Sequence, residues 1–250
     1  MKHKTFVRNV VCAFVAAAFS LFAKADAGVT VDGVDVSAGS GTGWAYEANT
    51  VTFTGAGPFV VSGQNTSGQV RLAFADAVTE AELTVSNLVL TGVSEYGIAL
   101  KDGQTLNLTV AGDNRIENTS SSTYTAPVWV PKGATLVIDK AAGLMDEEAT
   151  LKAKANVYYY NYAAAIGGIY EKGYDCGTVV IRGGTIEAQG GYDSAGIGSP
   201  YYGGFESIRI EGGVVNATGG YYGAGIGGGY YAFYSSYSAL TTGRVEMLGG

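Results

Sequence analysis

Short runs of alternating apolar and polar residues, separated by glycine and Asn/Asp turns, occupy this chain from Thr50 onward. Period-two alternation of this kind predicts half-buried β-strands. The runs fall at Thr50–Thr54, Glu82–Leu90, Gln104–Val110, Ala134–Ile138, Thr178–Ile181, Thr185–Ala188, Ser207–Ile210, Val214–Ala217 and Arg244–Met247. One stretch, Ala141–Ala155, also tempts a helix reading through its DEE-ATLKAKA run. Its Leu151–Ala155 part alternates as well, and strand is the reading adopted. The chain is predicted to be all-β.

The alternation is organised into repeats. Thr178–Ser199 reads TVVIRGGTIEAQGGYDSAGIGS, Ser207–Gly228 reads SIRIEGGVVNATGGYYGAGIGG, and a third copy opens at Arg244 with RVEMLGG. A looser element, a small residue followed by Ile or Val, recurs at Ile98, Val128, Ile166, Ile197 and Ile226, in steps of 30, 38, 31 and 29 residues. A second ladder runs through Val85, Val110, Ile138, Ile181, Ile210 and Met247. Two ladders advancing together predict a parallel β-helix solenoid of about six coils, with Tyr/Gly-rich loops. The twist of parallel connections makes it right-handed.

In such a stack equivalent residues lie one strand spacing apart, about 4.8 Å. Ile181, Ile210 and Met247 are then expected in one internal column, with Val180 and Arg209 outside. Arg182 falls opposite Glu211, Glu187 opposite Asn216, and Gln189 opposite Thr218. The Gly-Gly pairs at 183–184, 212–213 and 249–250 mark a corner where φ turns positive or a side chain would clash. The expected organisation is a signal peptide at 1–27, an irregular N-terminal β cap at 28–80, and the β-helix over 81–250. Because the third copy stops at Gly249-Gly250, the chain reads as truncated at its C-terminus.

These motifs resemble the repeats of secreted bacterial β-helix proteins. The resemblance rests on the GG-x-[IV]-x-A-x-GG…AGIG pattern preceded by an I-x-I strand. It rests also on Ser40–Tyr46 followed by Thr50–Gly55, and on Leu106–Ile116, which looks like an L-x-L-x-G-x-N-x-I coil. It covers roughly residues 40–250. What it implies is a large cell-surface or secreted molecule, adhesin-like or carbohydrate-binding, with a binding or structural role rather than catalysis. The insertion Glu147–Tyr162, the Gly198-Ser199-Pro200 segment and the long step Tyr230–Thr242 depart from that pattern, so no family binding residues carry over onto them.

The N-terminus changes the picture of location. Lys2, Lys4 and Arg8 precede an apolar run over Val10–Phe22, and Ala25-Asp26-Ala27 offers a small-residue cleavage site. That is a secretory signal rather than a membrane span, because its apolar run is too short. No other run reaches spanning length. Beyond residue 27 there is no histidine, and Cys176 is the single cysteine. This removes an intramolecular disulfide, His/Cys zinc sites and any Ser-His-Asp or Cys-His catalytic arrangement from the mature chain. The same region holds 11 Lys and Arg against 21 Asp and Glu, a net charge of −10. Such a balance argues against nucleic acid as a partner.

The tyrosines are the leading candidate for chemistry. Of 18 in the chain, 15 lie between Tyr158 and Tyr237 and fall in turns rather than strands. Equivalent turns project from one face of a solenoid. Tyr192 should therefore stack over Tyr221, with Tyr201-Tyr202 and Tyr230-Tyr231 on an adjacent loop, and Tyr222 is a candidate with them. Exposed phenol rings offer apolar stacking for sugars together with hydroxyl hydrogen bonds. The bland reading is that these rings only stack on each other and shield glycine-rich loops. Acidic residues come second: Asp146-Glu147-Glu148, Glu171, Asp175, Asp193 and Glu206. Carboxylates on neighbouring coils suit Ca²⁺ or paired acid–base catalysis, but Asp193 aligns with Tyr222, so no Asp column forms and no cofactor is expected. Gly219–Gly229 mimics a phosphate loop without the strand-loop-helix context or a following Lys. Cys176 reads as a packed thiol and Trp129 as a structural outward or corner aromatic.

The expected function is a binding or structural scaffold displayed outside the cell, taking a glycan or a host or cell surface through Tyr192, Tyr201, Tyr202, Tyr221, Tyr222, Tyr230 and Tyr231. The alternatives are a polysaccharide lyase or glycoside hydrolase on the same fold, or a passive stalk.

Overall fold

A computed structural model of the protein describes residues 28–68, 70–118, 124–158, 160–170, 175–234, 236, 238, 240 and 242–249. Residues 1–27, read from the sequence as a signal peptide, lie outside the described residues, as do Glu171 and Gly250. Among the described residues the chain is all-β, with two short 3-10 turns at Val36–Ala38 and Asp146–Glu148. The strands form a twelve-stranded and a nine-stranded sheet.

From Glu80 the chain passes regularly between the two sheets. Glu80–Thr91 lies in the larger sheet, Ile98–Ala99 in the smaller, Thr105–Glu117 in the larger and Val128–Trp129 in the smaller. The pattern continues through Thr135–Lys140 with Ala149–Lys154, Ile166–Gly167, Cys176–Ile181 with Thr185–Gln189, and Ile197–Gly198. It ends with Phe205–Ile210 and Val214–Thr218, Ile226–Gly227, and Arg244–Met247. Each circuit is one rung, and rungs pair in parallel. Among the described residues, antiparallel strand pairs involve only strands between Val29 and Asn65. Parallel pairing already begins where Thr50–Phe53 meets Arg71–Phe74 and Phe59–Asn65 meets Glu80–Thr91.

The small-sheet ladder has the spacing read from the sequence. Ile98 pairs with Val128, Val128 with Ile166, Ile166 with Ile197, and Ile197 with Ile226. In the larger sheet Arg182 reaches Glu211 at 3.1 Å, and Glu187 and Gln189 face Asn216 and Thr218. Two expectations change. Ile138 stands opposite Leu108, while Val110 faces Lys140. Leu106, Leu108 and Val110 all point inward, so a period-two pattern fixes the face but not a two-residue slip along it. Met247 is not internal: it pairs with Ile210 but is 68% exposed, because Arg244–Met247 is the outermost strand of the larger sheet. Over Ala141–Ala155 the alternating part wins, giving the strand Ala149–Lys154.

Each rung bends within the larger sheet, and the bend is held by polar atoms. Asn114 is fully buried at the first of these corners. Its Oδ1 accepts from Leu88 N–H at 2.9 Å, and its Nδ2 donates to the carbonyls of Ala111 at 3.0 Å and Thr150 at 3.2 Å. One amide thus ties three rungs together, satisfying backbone groups that the bend takes out of the ladder. Later rungs use Gly184 and Gly213 at that corner, with φ of +88° and +82°. The Asp146 carboxylate accepts there from Gly184 N–H at 2.7 Å and from Lys140 Nζ at 2.9 Å. These two bonds hold its pKa below the ordinary value. Asp146 is thereby committed to structure.

The interior is mainly apolar and changes in character along its length. Phe53 packs on Phe59 and Phe74 with centroids 4.8 and 5.2 Å apart, among Leu72, Leu83, Leu88 and Leu90. Further along, Ile181, Ile186, Ile197 and Ile208 take over, with Ala153 and Ala188. Burying such side chains stabilises by about 1.5–3 kcal/mol each.

Candidate functional site

The tyrosine turns flank the two-residue strands of the smaller sheet. Tyr192 and Tyr221 precede Ile197–Gly198 and Ile226–Gly227, whereas Tyr201-Tyr202 and Tyr230-Tyr231 follow them. Hydrogen bonds between rungs lock the turns in register. Tyr202 N–H donates to the Tyr230 carbonyl at 2.9 Å, Tyr230 N–H to the Asp193 carbonyl at 2.7 Å, and Gly220 N–H to the Ser194 carbonyl at 2.8 Å. Two buried hydroxyls complete the fixation: Ser194 Oγ accepts from Tyr201 N–H at 3.2 Å and Ser199 Oγ from Gly229 N–H at 2.8 Å. Tyr202 and Tyr231 share a left-handed backbone, φ +61° and +54°. Equal backbones one rung apart aim equal side chains in parallel.

The rings follow that register. Tyr192 lies 6.0 Å from Tyr221 with planes 4° apart, and Tyr202 lies 5.2 Å from Tyr231 at 7°. A longer column runs from Tyr162 to Tyr201 at 4.7 Å and on to Tyr230 at 5.9 Å. The turns on either side of the strand also meet, Tyr222 packing on Tyr230 at 4.7 Å. All seven predicted tyrosines therefore belong to one continuous aromatic surface. Tyr162, Tyr170 and Tyr234 join it, through Tyr170–Tyr201 at 5.5 Å and Tyr202–Tyr234 at 5.3 Å. Tyr159, Tyr174 and Tyr237 lie outside the described residues.

Stacking decides what this surface can offer. Inner rings spend their faces on neighbours and present edges and hydroxyls, so Tyr192, Tyr201, Tyr202 and Tyr230 are half-buried. Open faces belong to the outer rung, where Tyr221, Tyr222 and Tyr231 are 71%, 58% and 50% exposed. Crowding raises several phenol pKa values further above their ordinary 10.0. Burial raises the pKa of Tyr201, the neighbouring Tyr221 raises that of Tyr222, and the hydrogen bond with Tyr231 pushes Tyr230 up to about 12. Neutral hydroxyls can donate as well as accept, which suits polyol ligands.

The carboxylates do not converge on this surface. Asp175 is buried and accepts from Gly204 N–H at 2.6 Å, Glu206 accepts from Gly133 N–H at 3.3 Å, and Asp146 serves the corner already described. Asp193 lies beneath the tyrosines. Burial raises its pKa, and its Oδ1 has no hydrogen-bond partner among the described residues. Also among the described residues, no group of three or more His, Cys, Asp or Glu could hold a metal ion. Cys176 is fully buried, which pushes its thiol pKa up and leaves it unreactive.

Sequence reasoning set Trp129 aside, yet the structure gives it special surroundings. Its column in the smaller sheet runs Ala73, Ala99, Trp129, Gly167, Gly198, Gly227. Trp129 is the one large side chain in it. Tyr96 packs against the indole at 6.3 Å, and the Arg71 guanidinium lies 5.5 Å over the Tyr96 ring. Glu95 pairs with Arg71 in turn. The signal in the sequence is the substitution of Trp for Gly at the second position of the recurring Ile/Val-small element.

A family model described as a beta helix repeat matches residues 179–204 and 208–230, the two rungs that carry the tyrosine turns. No curated protein and no solved structure matches the chain. No helix among the described residues is long and apolar enough to cross a membrane.

Proposed function

We propose that this chain is an exported binding scaffold, a right-handed parallel β-helix of about six coils that presents tyrosine rows to glycan outside the cell. The support is the register of the rings. Tyr192 over Tyr221, Tyr201 over Tyr230 and Tyr202 over Tyr231 repeat one arrangement rung by rung. A surface periodic at the strand spacing suits an extended, repetitive ligand, and neutral phenols beside open ring faces suit sugar hydroxyls and C–H faces. The basic n-region and apolar run at the N-terminus support export, and the acidic balance supports a neutral rather than polyanionic partner.

The test is affinity electrophoresis of the chain through gels containing neutral polysaccharides, backed by a glycan array. Retardation is expected for the parent. Changing Tyr192, Tyr201, Tyr221 and Tyr230 together to Ala should abolish it. Retained binding in that variant would show that the tyrosine rows are structural, and release of reducing ends would point to a polysaccharide-cleaving enzyme instead.

A further inference from the structure

A separate cavity opens beside Trp129, between the turns that follow Ile98–Ala99 and Val128–Trp129. It measures 380 Å³, the lower end of the range of about 300–1,000 Å³ common for small-ligand sites. Its apolar surface comes from Leu100, Trp129 and Pro131, and its polar rim from Lys101, Asp102 and Lys132. We propose that it is a second carbohydrate subsite, taking one neutral pyranose ring against the Trp129 indole.

Three observations carry this. First, the indole is braced. Arg71 donates to the Ala48 carbonyl at 3.0 Å, pairs with Glu95, lies over Tyr96, and Tyr96 packs against Trp129. A half-exposed ring held from behind loses little freedom when a sugar lies on it, so stacking is retained as affinity. Second, the rim supplies both kinds of hydrogen-bonding partner. Asp102 is an exposed acceptor whose carboxylate occupies the space beside Gly133 that a methyl group would fill. Lys132 is half-buried and makes no ion pair among the described residues. One acceptor and one donor beside an aromatic face match the hydroxyls and apolar face of a pyranose.

Third, the charge is balanced. Lys101 is paired with Asp76, Asp102 offsets Lys132 at the rim, and Glu206 bonds the Gly133 N–H. No net positive field awaits a uronate, sulfate or phosphate, and the favoured ligand is a neutral sugar. The site does not depend on the tyrosine rows.

Fluorescence provides the test, since the chain has two tryptophans and Trp44 is 3% exposed in the core. Emission is followed while gluco-, manno- and galacto-hexaoses are titrated into the full chain, with a galacturonate hexamer as the charged probe. A saturable change with at least one neutral hexaose is expected. Calorimetry should then show about a tenfold weaker Kd for Trp129→Ala and a smaller loss for Trp129→Phe. Asp102→Asn should weaken binding about fivefold, and changing Tyr201 and Tyr230 to Ala should leave the Trp129 signal intact. Near-UV circular dichroism from Trp44 verifies that each variant is folded. No response to any neutral hexaose, tighter binding of the galacturonate, or an unchanged Kd in Trp129→Ala would each overturn the proposal. Loss of the signal in the tyrosine variant would overturn its independence from the rows.

Discussion

The first rungs stack phenylalanines inside, whereas the last rungs stack tyrosines outside and keep Phe205 buried within. Phe53, Phe59 and Phe74 stack through the interior with centroids 4.8 and 5.2 Å apart, and all three are buried. Tyr162, Tyr201 and Tyr230 stack along the exterior at 4.7 and 5.9 Å. Phe53 over Phe74 and the tyrosine column have similar spacing because parallel rungs repeat at the strand spacing, while Phe59 packs on Phe53 from the opposite sheet. What differs is water. Inside, a ring contributes its whole apolar area to stability; outside, it contributes a partial contact and leaves edges and hydroxyls available. Where the outer surface carries rings, the inner residues are mostly Ile, Val and Ala, with Phe205 as the large ring among them.

The sharpest way to probe this contrast is to truncate an inner ring. Phe74→Ala should destabilise the protein by about 3–5 kcal/mol in urea unfolding. A loss below 1 kcal/mol would mean the N-terminal core is not the stable part. Next comes the buried polar corner. Asn114→Leu removes the acceptor for Leu88 N–H and the donors for Ala111 and Thr150. The expected loss is about 1–3 kcal/mol, with faster hydrogen exchange at Leu88. An outer ring should matter less: Tyr201→Ala is expected to cost about 0.5–1.5 kcal/mol, the range of a stacking contact. A cost equal to that of Phe74→Ala would erase the distinction between the two regions.

Two smaller effects depend on pH. Burial raises the pKa of Asp193 above the ordinary 3.8, so folding disfavours its ionised form. That penalty is absent below the ordinary value and complete above the raised one. Asp193→Asn should therefore raise Tm by about 2 °C at pH 7 and leave it unchanged at pH 3. Tyr230, pushed up to about 12 from 10.0, contributes stability that is present below pH 10 and lost as pH rises through 12. Tyrosinate absorbance at 295 nm should show several late-titrating groups, with a smaller late amplitude in Tyr230→Phe.

Much of this architecture was legible because one repeat is so regular. The alignment of Thr178–Gln189 with Ser207–Thr218 gave their register residue by residue, and the recurring Ile/Val element located five of the nine strands of the smaller sheet. Where strands were longer, alternation fixed the face but not the slip, and Val110 was set two residues out of register with Ile138. The corner role of Asn114 was hidden because it lies beyond the alternating run Gln104–Val110, and its partners Leu88 and Thr150 are on other rungs. Trp129 was underrated for a different reason. Its significance comes from the small residues on either side in neighbouring rungs and from Tyr96 and Arg71 behind it, and those relations exist only once the rungs are stacked. The tyrosines were grouped from sequence, but the loss of most ring faces to mutual stacking follows from distances that composition does not contain.

The central claim is that the outer rings serve a ligand more than they serve the fold. The direct measurement compares the parent with the variant carrying Ala at Tyr192, Tyr201, Tyr221 and Tyr230, reading Tm and retardation in a neutral-polysaccharide gel on the same preparations. The account predicts that retardation is lost while cooperative unfolding persists with a modestly lower Tm. Undiminished retardation, or collapse of the fold on removing these rings, would contradict it.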